Sequence, residues 1–214
     1  MNMAINDRFD KMPWDEIDNV VFDVGNVLIH FEPLQMMKEL LPGLSDDMYR
    51  LLMQKTVHSP YWVAMDHGSM SYDDIIQAMI GLDKHLTDEI TTFMRGWYPL
   101  MKQKDEGVRA LKLCKEKGKK LYVLSNFSDM PFDYTEENNA FFSLFDDKVV
   151  SSRVHLLKPD PEIYRYLVRS FELDPARTLF IDDNPANIET ALMEGWQGFC
   201  FLAPGILDKY ISAN

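Results

Sequence analysis

A short apolar run that ends abruptly in an aspartate is the feature that most constrains how this chain can fold. Residues 20–22 are valine, valine and phenylalanine, Asp23 follows them, and Gly25 stands two positions further on. A run of this kind is typical of a strand that is buried on both faces of a sheet. A carboxylate at the carboxyl end of a central strand lies where open α/β sheets bind their ligands. Asp23 is therefore the first candidate for a nucleophile.

Composition bounds the class of protein. The chain has 214 residues, of which 46% are hydrophobic, enough for one domain with an insert or for two small domains. Its net charge is −12 and lysine and arginine form no cluster, so neither nucleic acid nor an anionic membrane surface is an expected partner. A small anionic substrate stays compatible with this charge, because a bound metal ion can invert the local field.

The cysteines and the amino-terminal segment indicate a cytoplasmic protein. Cys114 and Cys200 lie far apart and are typical of thiols in a reducing compartment. Residues 1–18 are polar and mixed in charge, without the apolar stretch of a secretory signal. No apolar run approaches the length of a transmembrane helix. We expect either a monomer or a weak homodimer.

Strand patterns alternate with helical patterns along most of the chain. Such alternation predicts parallel strand pairing and an α/β fold with a doubly wound sheet. We expect a core of residues 18–31 and 104–214, preceded by an extension over 1–17. The predicted strands are 20–24, 120–125, 148–151, 178–182 and 198–202, and the predicted core helices are 106–117, 160–171 and 185–194.

Residues 32–103, called the helical insert below, interrupt this alternation. Apolar residues recur there at helical spacing, and turn residues such as Pro42-Gly43 and Gly81 separate the segments. The pattern predicts a small all-helical cap after the first strand, able to cover the strand ends. The predicted helices of the insert are 34–41, 46–55, 71–80 and 87–97.

Four short segments carry polar side chains at predicted strand ends or just beyond them. They supply a carboxylate, a hydroxyl with an amide, a lysine and a pair of carboxylates. A parallel sheet brings all four to one crevice. This inventory suits phosphoryl transfer through an aspartyl phosphate. The residues are Asp23 to Gly25, Ser125 with Asn126, Lys158, and Asp182 with Asp183.

Each of these residue types has a physical reason to be there. A phosphate monoester is a dianion and repels an attacking carboxylate, and Mg²⁺ between Asp23 and the acidic pair would remove that repulsion. Lys158 would stabilise charge on the transferring group. Ser125 and Asn126 can donate hydrogen bonds to phosphoryl oxygens. The expected partner is a small phosphate ester.

The same segments resemble the four motifs of the haloacid dehalogenase superfamily, in order and over nearly the whole chain. They are similar above all to a bacterial sugar-phosphatase-like subgroup that includes α-D-glucose-1-phosphate phosphatase. The segments are Asp-Val-Gly-Asn-Val-Leu at 23–28, Ser-Asn at 125–126, Lys-Pro at 158–159 and Asp-Asp-Asn at 182–184.

The resemblance implies a role for each matching residue. Asp23 would be the nucleophile and a Mg²⁺ ligand, and the backbone carbonyl of Gly25 would be a second ligand. Asp183 would be the main acidic ligand, with Asp182 beside it. The phosphate would be held by Ser125 and Asn126, and Lys158 would stabilise charge at Asp23 and the phosphate.

Gly25 departs from the pattern of most phosphatases in the superfamily, which have a second aspartate there as general acid and base. One interpretation is a substrate with a good leaving group, such as a sugar 1-phosphate. Another is a substitute acid, with His30 favoured over His58 and His67. A third is a catalytically weak module that binds a phosphorylated ligand or a protein.

The residues of the insert that are candidates for selecting the substrate are Arg50, Trp62, Asp66 and His67.

Overall fold

A computed structural model describes residues 14–202, 205 and 211 and contains a five-stranded parallel sheet. The order across the sheet is β3-β2-β1-β4-β5. The strands are β1 Asn19–Phe22, β2 Lys120–Ser125, β3 Asp147–Val150, β4 Thr178–Asp182 and β5 Gln197–Cys200. The predicted α/β fold with a parallel sheet is therefore confirmed, and the predicted strands lie within two residues of the observed ones at either end.

Strand β1 occupies the centre because its side chains are apolar on both faces. Val20 and Phe22 belong to one hydrophobic cluster and Val21 to the other, and all three are fully buried. β1 pairs in parallel with β2 on one side and with β4 on the other. The strand order reverses next to β1, because β2 and β3 lie on one side of it and β4 and β5 lie on the other. The end of β1 therefore lies at the crevice where such sheets bind ligands.

Helices cover both faces of the sheet. On the face of Val20 and Phe22 lie α6 and α7, and on the face of Val21 lie α9 and α10. A short helix, α8, follows β3 directly. The bounds are α6 Asp105–Glu116, α7 Asp129–Glu137, α8 Ser151–Val154, α9 Pro161–Phe171 and α10 Pro185–Met193. The sequence did not predict α7 or α8.

The helical insert contains five helices between β1 and α6. Four correspond to predicted segments, whereas α3 was not predicted. Val63 of α3 is 57% exposed although it is apolar, so this helix lacks the single apolar face that identifies the others. The division into core and cap domains stays a prediction. The bounds are α1 Pro33–Leu40, α2 Asp46–Lys55, α3 Pro60–His67, α4 Tyr72–Leu82 and α5 Thr87–Gly96.

The start of α6 holds the loop that follows β1. A Cβ atom on Gly107 would lie 1.8 Å from the carbonyl oxygen of Val27, so only glycine allows this approach. The Lys104 Nζ atom donates to the carbonyl oxygen of Asn26 at 2.7 Å. The backbone N–H of Lys104 donates to the carbonyl oxygen of Leu28 at 2.8 Å. The loop that carries Asp23 and Gly25 is thereby fixed from the carboxyl side of the insert.

The predicted extension falls partly outside the described residues, since 1–13 lie beyond them. Its described part packs into the core: Trp14 is 2% exposed, and Lys119 Nζ lies 4.9 Å from the centre of its ring. The same Nζ donates to the carbonyl oxygen of Ile17 at 2.6 Å. Among the described helices, none has the length and apolar character needed to cross a bilayer.

Candidate active site

All seven side-chain and backbone positions predicted as site residues lie at the carboxyl edge of the sheet, and most line one cavity there. Asp23 follows β1, Ser125 ends β2, and Asp182 ends β4. Asp23, Gly25, Ser125, Asn126, Lys158 and Asp183 line the cavity, whereas Asp182 lies just beneath it and is fully buried. The parallel register explains this convergence, because Phe22 aligns with Val123 and with Ile181.

Asp23 lies at the centre of the site and is 8% exposed. Its Oδ1 atom accepts a hydrogen bond from Ser125 Oγ at 2.8 Å and lies 2.9 Å from Lys158 Nζ. Burial raises the pKa of Asp23 to about 6, and the charge of Lys158 opposes that rise. A carboxylate in this setting is poorly solvated, and this favours it as a nucleophile over a fully hydrated one.

Lys158 bridges two carboxylates. Its Nζ atom lies 2.7 Å from Asp182 Oδ2 as well as 2.9 Å from Asp23 Oδ1. Burial by itself would lower the pKa of Lys158, but the charges of Asp182 and Asp23 raise it above its usual value. The ammonium group is therefore protonated throughout the physiological range, and it contacts Asp23 through Oδ1, which leaves Oδ2 of Asp23 without a contact to the lysine.

Both carboxylate oxygens of Asp182 are fully engaged. Asn187 Nδ2 donates to each of them at 3.0 Å, and the backbone N–H of Asn184 donates to Oδ1 at 2.8 Å. With Lys158 on Oδ2, every Asp182 lone pair that points into the protein has a donor. Asn187 is 6% exposed and supports Asp182 from α10.

The side chain of Asn126 holds the main chain of Lys158. Its Nδ2 atom donates to the carbonyl oxygen of Lys158 and its Oδ1 atom accepts from the N–H of Lys158, both at 2.8 Å. The sequence assigned this amide to the phosphate. In the structure its oxygen and one of its two N–H groups are directed at the lysine backbone instead, so the phosphate contact stays a prediction.

Asp183 completes a cluster of acidic groups. One carboxylate oxygen from each of Asp23, Asp182 and Asp183 lies within 4.8 Å of the other two. Asp183 is half-buried, and burial followed by the charge of Asp182 raises its pKa, while a hydrogen bond from Asn26 opposes the rise. Lys158 is the one cation among the described residues that line the cavity, so the cluster carries more negative than positive charge.

Gly25 lies at the rim of this cluster with open space around it. A Cβ atom built there would meet no atom within 4 Å. The structure therefore offers no steric reason for glycine at this position. The space next to Gly25 could hold a side chain, but glycine does not supply one.

Aromatic side chains form the opposite wall of the cavity. The helical insert contributes Trp62 and Trp97, and the strand-end loops contribute Phe31 and Phe127. The ring of Phe31 lies 5.9 Å from that of Trp62 and 5.6 Å from that of Trp97, and Trp97 stacks on Phe127 at 6.4 Å. These contacts join the insert to the core through the wall itself.

One acidic side chain of the insert, Asp66, also lines the cavity. Trp62, one turn earlier on α3, donates a hydrogen bond to its carboxyl group. Burial, followed by the charge of Asp23, raises the pKa of Asp66 to about 7, and the hydrogen bond opposes that rise. The sequence named Asp66 only as one of several residues that could select the substrate.

The other polar residues considered from the sequence lie elsewhere. His30 is exposed and lines a separate surface cavity with Glu32, Glu39 and Lys102. His58 is exposed, and Arg50 pairs with exposed Asp47. The ring of His67 lies 5.7 Å from that of His155, outside the lining of the main cavity. None of these four lines the cavity that contains Asp23.

Comparison with known proteins places this geometry in a family. The model of the haloacid dehalogenase-like hydrolases matches residues 17–193. A sesquiterpene phosphatase of Aspergillus oryzae is 24% identical over 83% of this chain and 86% of its own length. A D-ribitol-5-phosphate phosphatase of Bacteroides thetaiotaomicron is 25% identical over 86% of this chain and 91% of its own length.

A similar fold is found in a solved structure from the same bacterium. It is a haloacid dehalogenase-family enzyme of Bacteroides thetaiotaomicron in complex with magnesium and inorganic phosphate, with a TM-score of 0.69 and 19% sequence identity. The likeness covers 86% of this chain and 93% of that chain. The family match spans β1 to α10 and so includes every strand-end group described above. This chain therefore belongs to the haloacid dehalogenase-like hydrolases.

Proposed function

We propose that the protein is a Mg²⁺-dependent phosphatase that hydrolyses a small phosphomonoester through a phosphorylated Asp23. The observation that carries the proposal is the position of Lys158 Nζ, 2.9 Å from a carboxylate whose oxygens lie within 4.8 Å of those of two further carboxylates. A nucleophile, a fixed cation and an acidic cluster together serve the transfer of an anionic group better than any reaction of a neutral substrate.

The donor set fits Mg²⁺. The acidic cluster offers hard carboxylate oxygens, and its negative charges exceed the one positive charge of Lys158. Asp23, Asp183 and the backbone carbonyl of Gly25 would hold the ion, with Asp182 behind them. When bound, such an ion would supply positive charge that offsets the repulsion between the carboxylates and a phosphate dianion.

Asp23 attacks phosphorus through the carboxylate oxygen that is not engaged by Ser125 and Lys158. The bond from phosphorus to the leaving oxygen breaks, and an alcohol departs. Water then attacks the phosphorus of the aspartyl phosphate and releases inorganic phosphate. Lys158 stabilises the charge on the equatorial oxygens in both steps, and Ser125 orients Asp23 and donates to the phosphoryl group.

Two residues act by positioning others. Asp182 holds the Lys158 ammonium group through its Oδ2 atom and is itself held by Asn187 and Asn184. Asn126 fixes the Lys158 backbone through its paired hydrogen bonds. In this proposal Asp182 is a weaker metal ligand than Asp183, because its oxygens already have donors.

The proposed substrate is a sugar phosphate, such as a hexose 1-phosphate. Aromatic rings line the wall that faces the phosphate subsite, and such rings pack against the apolar faces of sugars. The relative from Bacteroides thetaiotaomicron is named for a sugar-alcohol phosphate. The relative from Aspergillus oryzae is named for a terpene, so the aromatic wall is also compatible with a more apolar alcohol. A cytoplasmic monomer or weak homodimer stays our expectation.

The test is phosphate release from a panel of sugar, alkyl and aryl phosphates, with Mg²⁺ and with a chelator. We expect release that depends on Mg²⁺ and that is lost in Asp23→Asn, while Asp88→Asn, which changes an exposed carboxylate of the insert, behaves like the wild type. Release fastest from a 1-phosphate supports the hexose 1-phosphate proposal. Release without Mg²⁺, or release that survives Asp23→Asn, contradicts the proposed mechanism.

A further inference from the structure

The proposed reaction lacks a proton donor among the strand-end loops. Gly25 has no side chain, and the space next to it is open. Departure of an alkyl alcohol from phosphorus requires a proton on the leaving oxygen, and a positioned acid accelerates such a step by roughly 10²–10⁴-fold. The cavity must therefore receive a donor from elsewhere if simple alcohols are to leave at a useful rate.

The titratable groups that line the cavity are few. Among the described lining residues they are Asp23, Asp66, Lys158 and Asp183. The proposed function uses Asp23 as the nucleophile and Asp183 for the metal ion, and Lys158 already bridges two carboxylates. Asp66 is the remaining group, and it lines the cavity from α3 of the insert.

The backbone of Asp66 is fixed directly to the core. Ser151 Oγ donates to the carbonyl oxygen of Asp66 at 2.5 Å and accepts from the N–H of Phe127 at 2.9 Å. Ser151 is fully buried at the end of β3, and Phe127 follows β2. One hydroxyl group thus ties α3 to the loops that follow both strands.

Two further contacts hold the carboxyl end of α3 in the same place. A Cβ atom on Gly68, whose φ is +73°, would lie 2.2 Å from the carbonyl oxygen of Ser152, so glycine permits the helix end to touch the core backbone. His155 Nδ1 donates to the carbonyl oxygen of His67 at 3.0 Å. These contacts with the core therefore help to set the position of Asp66 at the cavity.

We infer that Asp66 is the general acid and base of the proposed phosphatase reaction, and this inference rests on that proposed function. As Asp23 Oδ bonds to phosphorus and the phosphorus–oxygen bond to the leaving group breaks, the Asp66 carboxyl gives its proton to the leaving oxygen. The resulting Asp66 carboxylate then takes a proton from the water that attacks the aspartyl phosphate. Phosphate leaves, and both side chains return to their starting forms.

The surroundings of Asp66 suit this exchange. Its carboxyl group is partly buried beside aromatic rings, which favours the protonated form and, with the charge of Asp23, holds its pKa near neutrality. The hydrogen bond from Trp62 also holds the carboxyl group at the cavity. Trp62 and Asp66 are separated by one helical turn, so both face the cavity.

The test compares leaving groups in single turnovers of Asp66→Asn, whose amide oxygen can still accept from Trp62. Nitrophenolate leaves without a proton, so its release from p-nitrophenyl phosphate should stay within about twofold of wild type. Consumption of an alkyl phosphate should slow by roughly 10²–10⁴-fold, because its alcohol needs the proton. Release of inorganic phosphate should slow for both substrates, since water attack loses its base.

Controls separate this inference from the proposed function. Asp88→Asn removes an exposed carboxylate of the insert and should change no step. Asp23→Asn should abolish nitrophenolate release, which Asp66→Asn preserves; if it does not, the proposed function fails. Equal slowing of nitrophenolate release and alkyl phosphate consumption in Asp66→Asn, or unchanged consumption of the alkyl ester, would overturn the role of Asp66 while leaving the phosphatase proposal intact.

Discussion

The strand-end loops and the helical insert both line the same cavity, but they contribute to it in different ways. Polar side chains of the loops are buried and bonded to one another: Asp182 is fully buried, and Lys158 is 5% exposed between two carboxylates. The insert contributes Trp62, Trp97 and one carboxyl group, Asp66. In the proposed reaction the loops hold the nucleophile and the metal ligands, whereas the insert shapes the space for the rest of the substrate and supplies Asp66.

Asp182→Asn breaks the loop network at its most buried point and should have the largest effect. Lys158 loses the charge that holds its ammonium group, and we expect kcat to fall by roughly 10²–10³-fold. The free energy of unfolding should also fall, by about 3 kcal/mol, because a buried ion pair loses one partner. Steady-state kinetics and thermal unfolding check the two effects. A fall in Mg²⁺ affinity alone would instead indicate a direct metal ligand.

Asn126→Ala tests whether this amide positions Lys158 or contacts the phosphate. Loss of both hydrogen bonds to the Lys158 backbone should misplace the ammonium group and lower kcat by up to about 10²-fold, with KM little changed. The split between kcat and KM is the measurement. A rise in KM with kcat unchanged would support the phosphate contact that the sequence predicted.

Phe31→Ala alters the aromatic wall and leaves the loop network in place. Its ring contacts with Trp62 and Trp97 are lost, and KM for sugar phosphates should rise by roughly 3–10-fold. The inhibition constant Ki of inorganic phosphate should change much less, since phosphate contacts only the loops. An equal weakening of sugar phosphate and inorganic phosphate binding would contradict the division of roles between the loops and the aromatic wall.

The pH dependence of the free energy of unfolding tests the raised pKa of Asp66. The pKa of Asp66 is raised to about 7 in the folded protein, so the folded state binds more protons than the unfolded state between about pH 4 and 7. The free energy of unfolding therefore falls as pH rises through this range. In Asp66→Asn that fall should be smaller, and Tm near pH 8 should be a few degrees higher relative to wild type. An identical slope in both proteins would contradict the raised pKa.

His30→Gln should have the smallest effect. His30 lines a different cavity from Asp23, so kcat and KM should stay within about twofold of wild type for aryl and alkyl phosphates alike. A selective loss on alkyl phosphates would restore His30 as the substitute acid and weaken the case for Asp66.

The strand ends were predictable because their signals are local. An apolar run followed by Asp23, or the run that ends in Asp182 and Asp183, indicates a buried strand and a polar end without knowledge of its neighbours. The helix α3 was not predictable in the same way, since its apolar residues do not keep to one face. The partner of the Asn126 amide was also hidden, because Lys158 is 32 residues away in the chain.

The sequence by itself determined the order of the strands along the chain, the edge of the sheet where chemistry is expected, and the residue types at that edge. Periodicity and strand-end polarity are properties of a few consecutive residues, so they can be recognised in the sequence alone. Only the tertiary structure decided that His30 lies away from the cavity, that Asn126 holds a backbone, and that Asp66 lines the cavity of Asp23. Those outcomes depend on how α3 docks, and that docking is set by contacts such as Ser151 to Asp66, which join residues 85 positions apart.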